Sequence, residues 1–172
     1  MSEIKPEKIE GIDISDRLDR SSHLPENLDG DIRKTIADIT KELGYPEEIT
    51  KAIRTPEEAM IYKEADLTVG EIDGKPCLIR SDIDWEQKDL YGRPNRERIK
   101  QGLSPINREG EVIDLHHIGQ HADSPLAELT PQEHRGPVNH SILHSQQDSE
   151  INRSEFAKER NAHWTTRLQQ AA

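Results

Sequence analysis

The sequence is short of most of what ordinarily holds a small fold together. It has one cysteine, Cys77, so no internal disulfide and no cysteine-rich zinc site can form. Cys77 sits in a strand-like run and reads as a small buried residue. Phe, Trp and Tyr make up only 3 % of the 172 residues and hydrophobic residues 31 %, whereas Asp, Glu, Lys and Arg make up 33 %. Such a chain buries a thin core, and a bound metal or a partner can add what the core lacks. No apolar run is long enough to span a bilayer, and the N-terminal MSEIKPEKIEG has no apolar signal core. The chain is therefore expected to be soluble, and any export to use a route without a classical signal. A net charge of −11 argues against a protein that coats nucleic acid by bulk charge.

What the sequence does contain is unevenly spread. Residues 1–90 hold 13 Lys and Arg against 23 Asp and Glu, while residues 91–172 hold 10 against 11. Histidine runs the other way, with seven of eight between His116 and His163. Two regions with different tasks are implied. Residues 1–28 are polar, contain Pro6 and Pro25, and read as a flexible arm. Residues 29–66 read as a helical region. There Ile32, Ile36, Ile39 and Leu43 share one helical face ahead of Gly44. A second short helix fits 46–54, and Thr55-Pro56-Glu57-Glu58 is a capping box that opens a third.

Residues 67–172 change character. A β-hairpin is predicted over 67–80, turning at Asp73-Gly74. Asn95 can cap a short basic helix through Lys100, and 112–118 alternates like a strand. Thr130-Pro131-Gln132-Glu133 is a second capping box whose helical turn carries His134, and Gly136-Pro137 interrupts it. Residues 138–144 fit a short helix or an extended loop. A last helix over 154–167 puts Phe156, Arg160 and Trp164 on one face, with the aromatics anchoring it to the core.

The chemistry centres on Leu115-His116-His117. Adjacent residues on a strand point to opposite faces. One histidine can then hold a metal while the other faces a different target, or a twist at the strand end can aim both into one cleft. Downstream stand His134, Asn139, His140 and His144. An ion held by imidazoles for catalysis needs two or three of them and an open position. Phosphodiester hydrolysis needs that cation and a base for water, a role suited to histidine. His140 and His144 share a face if their segment is helical, and spacing does not choose among the downstream histidines. Arg135 can grip a phosphate oxygen. Arg93, Arg96, Arg98 and Lys100 fit either a nucleic-acid contact or a solvated helix face. His23 and His163 read as solvated, and His121 receives no role.

The run IDLHHIGQHADSPLAELTPQEHRG, followed by NHSILH, closely resembles the LHH family of HNH/endonuclease VII nucleases. DLYGRPNRERIKQGLSPI and IDGKPCLIR upstream, and SEINRSEFAKERNAHW downstream, resemble the same family, so the likeness covers roughly residues 60–168. It implies an α+β fold with a small ββα-metal (treble-clef-like, HNH) nuclease core, flanking helices and a β-hairpin. It implies a metal-dependent endonuclease acting on nucleic acid, DNA ahead of RNA, with one divalent ion (zinc, magnesium or manganese). His116 then looks like the first-strand ligand and His117 like the general base. His134 and His144 look like the downstream histidines that bind the ion or assist hydrolysis, with His140 as a competitor. Asn139 resembles the asparagine that orients the base or the loop, and Glu133 and Arg135 resemble supporting or phosphate contacts.

Members of that family occur as toxin modules in bacterial polymorphic toxin systems. The resemblance thus implies a cognate immunity protein and a secretion-system delivery component. It also implies a protein secreted or injected by the producing bacterium that acts in the target-cell cytoplasm. Two other functions fit the residues: a non-catalytic zinc-binding interaction module, and an HNH endonuclease without a toxin role. A closed structural zinc site needs about four ligands and no free base. Five clustered histidines and an asparagine exceed that.

Overall fold

The computed structural model describes residues 28–144 and 150–172. The arm expected over 1–28, and His23 with it, lies outside the described residues except for Leu28.

Among the described residues three helices come first. In α1 (Leu28–Glu42) Ile36 is fully buried, with Ile32 and Ile39 packed on the same core. Gly44, at φ 70, follows its end in the left-handed conformation that a Cβ would disfavour. α2 (Glu47–Ala52) contributes Ile49, and α3 (Pro56–Glu64) contributes Ala59, Ile61 and Tyr62. Thr55 caps α3 by accepting the Glu58 N–H at 3.1 Å. The return half of the predicted box is displaced by one residue, because Glu58 accepts the N–H of Arg54 at 2.8 Å.

The sheet has four strands in the order β1-β2-β4-β3. β1 (Thr68–Ile72) and β2 (Lys75–Ile79) form the predicted hairpin. Both turn residues, Asp73 at φ 50 and Gly74 at φ 78, take positive φ, as a two-residue turn matched to strand twist requires. A short helix, α4 (Asn95–Lys100), precedes β3 (Asp114–His117) and β4 (Leu126–Leu129). β3 and β4 are antiparallel, with His116 opposite Ala127 and His117 opposite Leu126. β4 joins β2 in parallel through Leu78 and Ala127. Two short helices, α5 (Pro131–Arg135) and α6 (Pro137–Leu143), follow, and α7 (Arg153–Gln170) closes the fold. The α+β class and the ββα order are as predicted.

Two apolar clusters fill the interior. The larger joins Ile36, Ile49, Ile53 and Tyr62 of the N-terminal helices to Leu78, Ile118, Leu129 and Leu143. The smaller packs Ile99, Ile113, Leu115 and Leu126 around Trp164, the predicted anchor of α7. A buried polar knot adds to that anchor. Glu128 of β4 is fully buried and accepts from His163 Nε2 at 2.8 Å, Arg167 Nε at 2.7 Å and the Arg80 N–H at 2.8 Å. Burial pulls its carboxyl upward, but the bonds from His163 and Arg167 outweigh it and hold it below its ordinary range. His163 is therefore not solvated: it is buried because Glu128 needs its ring N–H. Among the described residues no helix is long and apolar enough to cross a membrane.

Candidate metal centre

Three imidazoles converge from three elements. His116 comes from β3, His134 from α5 and His144 from the C-terminal cap of α6. One ring nitrogen from each lies within 4.8 Å of the others. In one continuous helix, residues 134 and 144 would stand about 15 Å apart along the axis. The chain breaks instead between α5 and α6. A Cβ on Gly136 would sit 2.4 Å from the Gln132 carbonyl oxygen, so the fold-back needs glycine there. The two Nε2 atoms end 3.0 Å apart.

The break is fastened from both sides. Thr130 accepts the Glu133 N–H at 3.2 Å, and Glu133 accepts the Thr130 N–H at 2.8 Å, completing the predicted box. Glu133 also takes Arg80 Nη1 at 2.6 Å. Its carboxylate is thus occupied by the helix start and Arg80, away from the imidazoles. Asn139 donates to the Glu133 carbonyl at 2.9 Å, so it holds the loop and does not touch His117.

Each of the two downstream ligands has an outer partner. Asp114 accepts from His134 Nδ1 at 3.0 Å and from Arg135 Nε at 2.9 Å. Burial pulls the Asp114 carboxyl upward, but these cationic and N–H partners outweigh it and keep it ionised below its ordinary range. Gln120 Nε2 lies 3.2 Å from His144 Nδ1, and its Oε1 accepts from Arg54 Nη1 at 3.3 Å. The turn that presents Gln120 is left-handed at both Gly119 (φ 72) and Gln120 (φ 64), a conformation costly for a non-glycine residue. It is held from the N-terminal helices. Glu58 accepts the Gly119 N–H at 3.0 Å, and a Cβ on Gly119 would lie 2.2 Å from the Ala52 carbonyl oxygen.

Two of the three imidazoles are held toward their neutral form, and one buried ring nitrogen has no partner. Burial, reinforced by the facing His134, His144 and His117, holds His116 well below its ordinary value. Burial, with His134 and His140, takes His144 down to about 4. His116 Nε2 is buried with no hydrogen-bond partner, a loss of roughly 1–3 kcal/mol that a cation would remove. Nitrogens held ~2.1 Å from a tetrahedral ion lie about 3.4 Å apart, so the observed spread needs only small ring movements. Three imidazole nitrogens and an open side fit one divalent ion.

His117 lies beside this cluster. The cleft is lined by His116, His117, Gln120, His134, His144 and Phe156, so the strand end aims both adjacent histidines into one space. His117 is buried, its Nε2 is 2.7 Å from Glu159 Oε2, and its ring packs at a tilt against Phe156, 4.8 Å between centroids. A carboxylate only accepts, so Nε2 carries the proton and Nδ1 keeps the lone pair.

Residues 94–170 match the LHH family, described as a nuclease of the HNH/ENDO VII superfamily with conserved LHH. That segment is an LHH nuclease domain. Its LHH is Leu115-His116-His117, and it contains all three converging imidazoles and Glu159. Arg54 and Glu58, which support Gln120 and Gly119, lie before it. No solved structure matches the chain.

The LHH domain leaves other candidates aside. His140 is exposed and stacks on His144 at 4.8 Å, outside the converging set. His121 is exposed and lies 3.3 Å from Glu150. The cations of α4, and Arg93 just before it, are tied to carboxylates. Arg98 Nη1 reaches Asp89 at 2.7 Å, Arg93 Nε reaches it at 2.9 Å, and Arg96 pairs with Glu86. Lys100 stands 4.0 Å from Glu97. Arg96 and Lys100 line a cleft with Leu168 and Ala172 at the far end of α7, so α4 is not brought to the histidines. Glu159 was not singled out by sequence. It lies 42 residues after His117, and the only signal was its place three residues after Phe156 on the face turned to the core.

Proposed function

We propose that the chain is a zinc-dependent endonuclease in which His116, His134 and His144 hold the ion and His117 is the general base. The observation that carries this reading is a trio of converging imidazoles beside a fourth whose tautomer is fixed by Glu159. Among the described residues no carboxylate joins the trio. An all-imidazole set suits zinc better than magnesium or manganese.

A bound ion supplies Lewis-acid polarisation of the scissile phosphate and offsets charge on the leaving oxygen. The residues supply the rest. Glu159 accepts the Nε2–H of His117 and leaves Nδ1 as the proton acceptor. Nδ1 takes a proton from water, the water oxygen attacks phosphorus, and the bond to O3′ breaks. The imidazolium that forms is stabilised by the Glu159 carboxylate. Asp114 fixes the His134 ring, and Arg135 neutralises Asp114.

DNA is the preferred substrate in this reading. The likeness to toxin modules supports an antibacterial effector, delivered by a secretion system into the target-cell cytoplasm and neutralised by an immunity protein. A non-catalytic zinc module would need a fourth protein ligand and would have no use for the His117–Glu159 pair. The test is cleavage of supercoiled plasmid, and of RNA in parallel, with zinc, magnesium, manganese or EDTA, beside His117→Ala. Metal-dependent cleavage lost in His117→Ala supports the reading. No cleavage of either substrate by folded, zinc-loaded protein overturns it. Cells expressing the wild-type chain without a partner should lose viability, and normal growth would count against the toxin role.

A further inference from the structure

We propose that Arg153 and Arg160 of α7 grip the backbone phosphates on either side of the one being cut. The proposal rests on the nuclease reading above and deepens it by assigning the substrate track.

Two clefts adjoin along β3 and α7. One is lined by His116, His117, His144 and Arg153, the other by Asp114, Arg135 and Arg160. Leu115, His134 and Phe156 line both, so the two form one groove with the histidines in its floor. Residues 153, 156 and 160 are three and four apart, which places them on one face of the helix. Phe156, between the two arginines, packs on His117 at 4.8 Å. Seven helical positions put the arginine backbones about 10 Å apart along the axis. That leaves room for the reacting phosphate between them.

Charge sets these two apart from most arginines of the fold. Arg80, Arg93, Arg96, Arg98, Arg135 and Arg167 each pair with a carboxylate. Arg153 and Arg160 have no carboxylate partner among the described residues. Arg153 is exposed, and the guanidinium of Arg160 stands 6.0 Å over the Phe156 ring. Asp114, the acid that lines the groove, is already matched by His134 and Arg135, and nearby Glu159 by His117. In a chain of net charge −11, the groove keeps two guanidinium groups that no carboxylate among the described residues neutralises. Guanidinium is also the group that meets phosphate with two parallel hydrogen bonds.

The experiment is the salt dependence of kcat/KM for cleavage of a short DNA duplex by the zinc-loaded full chain. Arg153→Gln and Arg160→Gln should each reduce the slope of log kcat/KM against log salt by roughly 0.9, the value of one phosphate contact on duplex DNA. Arg153→Lys should restore most of the slope. Arg96→Gln and Lys100→Gln on α4 should keep the wild-type slope. Zinc affinity by calorimetry should be unchanged in all of them, which separates a lost phosphate contact from a disturbed centre. Wild-type slopes in both glutamine variants, with the wild type cleaving normally, would overturn the track and leave the nuclease reading intact. A loss of slope in the α4 variants instead would move the track to α4. A wild type that cleaves neither DNA nor RNA would end both proposals.

Discussion

His134 and His144 meet nitrogen to nitrogen, Nε2 to Nε2, at 3.0 Å. Their tautomers follow from the outer partners. Asp114 can only accept, so His134 is protonated at Nδ1 and offers a lone pair at Nε2. His144 therefore donates its Nε2–H, and its Nδ1 accepts from the Gln120 amide. Without an ion the pair is a closed hydrogen-bonded chain from Gln120 to Asp114.

An ion in the cluster needs the Nε2 lone pair of His144. Its proton must then move to Nδ1, and Gln120 must turn its amide oxygen toward it. Nitrogen NMR of the histidine rings should show His144 changing tautomer on zinc addition while His134 keeps its own. Gln120→Ala should weaken zinc binding by roughly 10–100-fold, the usual effect of losing a partner behind a ligand. An unchanged affinity and an unchanged His144 tautomer would remove Gln120 from the account.

The base and the ligands should separate by mutation. His117→Ala is expected to lower the cleavage rate by about 10²–10⁴-fold, the usual contribution of a general base, with zinc affinity retained. Glu159→Gln should give a smaller loss, because an amide at that position no longer fixes the His117 tautomer or stabilises the imidazolium formed in the reaction. Lost zinc binding in His117→Ala would make His117 a ligand instead. His140→Ala should bind zinc with wild-type stoichiometry, and His116→Ala should not.

The metal-free protein should lose stability as pH falls from about 6.5 to about 4. His144 is taken from 6.5 to about 4, and His116 well below 6.5, by burial against other imidazoles. The unfolded chain then binds more protons than the folded one across that window, so stability is complete above it and declines within it. Glu58 has the opposite sign: burial raises its carboxyl above 4.5, and its contribution falls as pH rises through its folded value. Thermal unfolding in EDTA across this range measures the sum, and His144→Gln should flatten it. A midpoint that rises toward pH 4 would contradict the assignment.

Gly119→Ala should destabilise the fold by at least about 1–3 kcal/mol, the cost of one strained backbone position, and by more if the Ala52 carbonyl cannot retreat from 2.2 Å. The loss should appear in chemical unfolding and be accompanied by weaker zinc binding, since the same turn carries Gln120. Full stability in Gly119→Ala would show that the contact with α2 is dispensable.

Local rules carried much of the fold in the sequence. The Asp73-Gly74 turn, the Thr55 and Thr130 caps, the break at Gly136-Pro137 and the Trp164 anchor all follow from residue chemistry within a few positions. The choice between His140 and His144 was not legible, because it depends on how far α6 folds back onto α5. Glu159, Gln120 and the burial of His163 were hidden for a related reason. Each is a polar residue whose partner arrives from a distant element, and nothing nearby in sequence marks it as other than solvated. The α4 arginines show the converse. Their charge was plain in sequence, but the neutralising Asp89 and Glu86 could be assigned only once the chain was folded.

The larger apolar cluster also bears on how this domain could be moved between proteins. Residues 94–170 carry every histidine of the centre. Yet most of the buried side chains beneath them, from Ile36 to Leu78, come from earlier in the chain. A transplant cut at residue 94 would keep the ligands and discard the mould that sets their spacing. The portable unit is longer than the recognisable one.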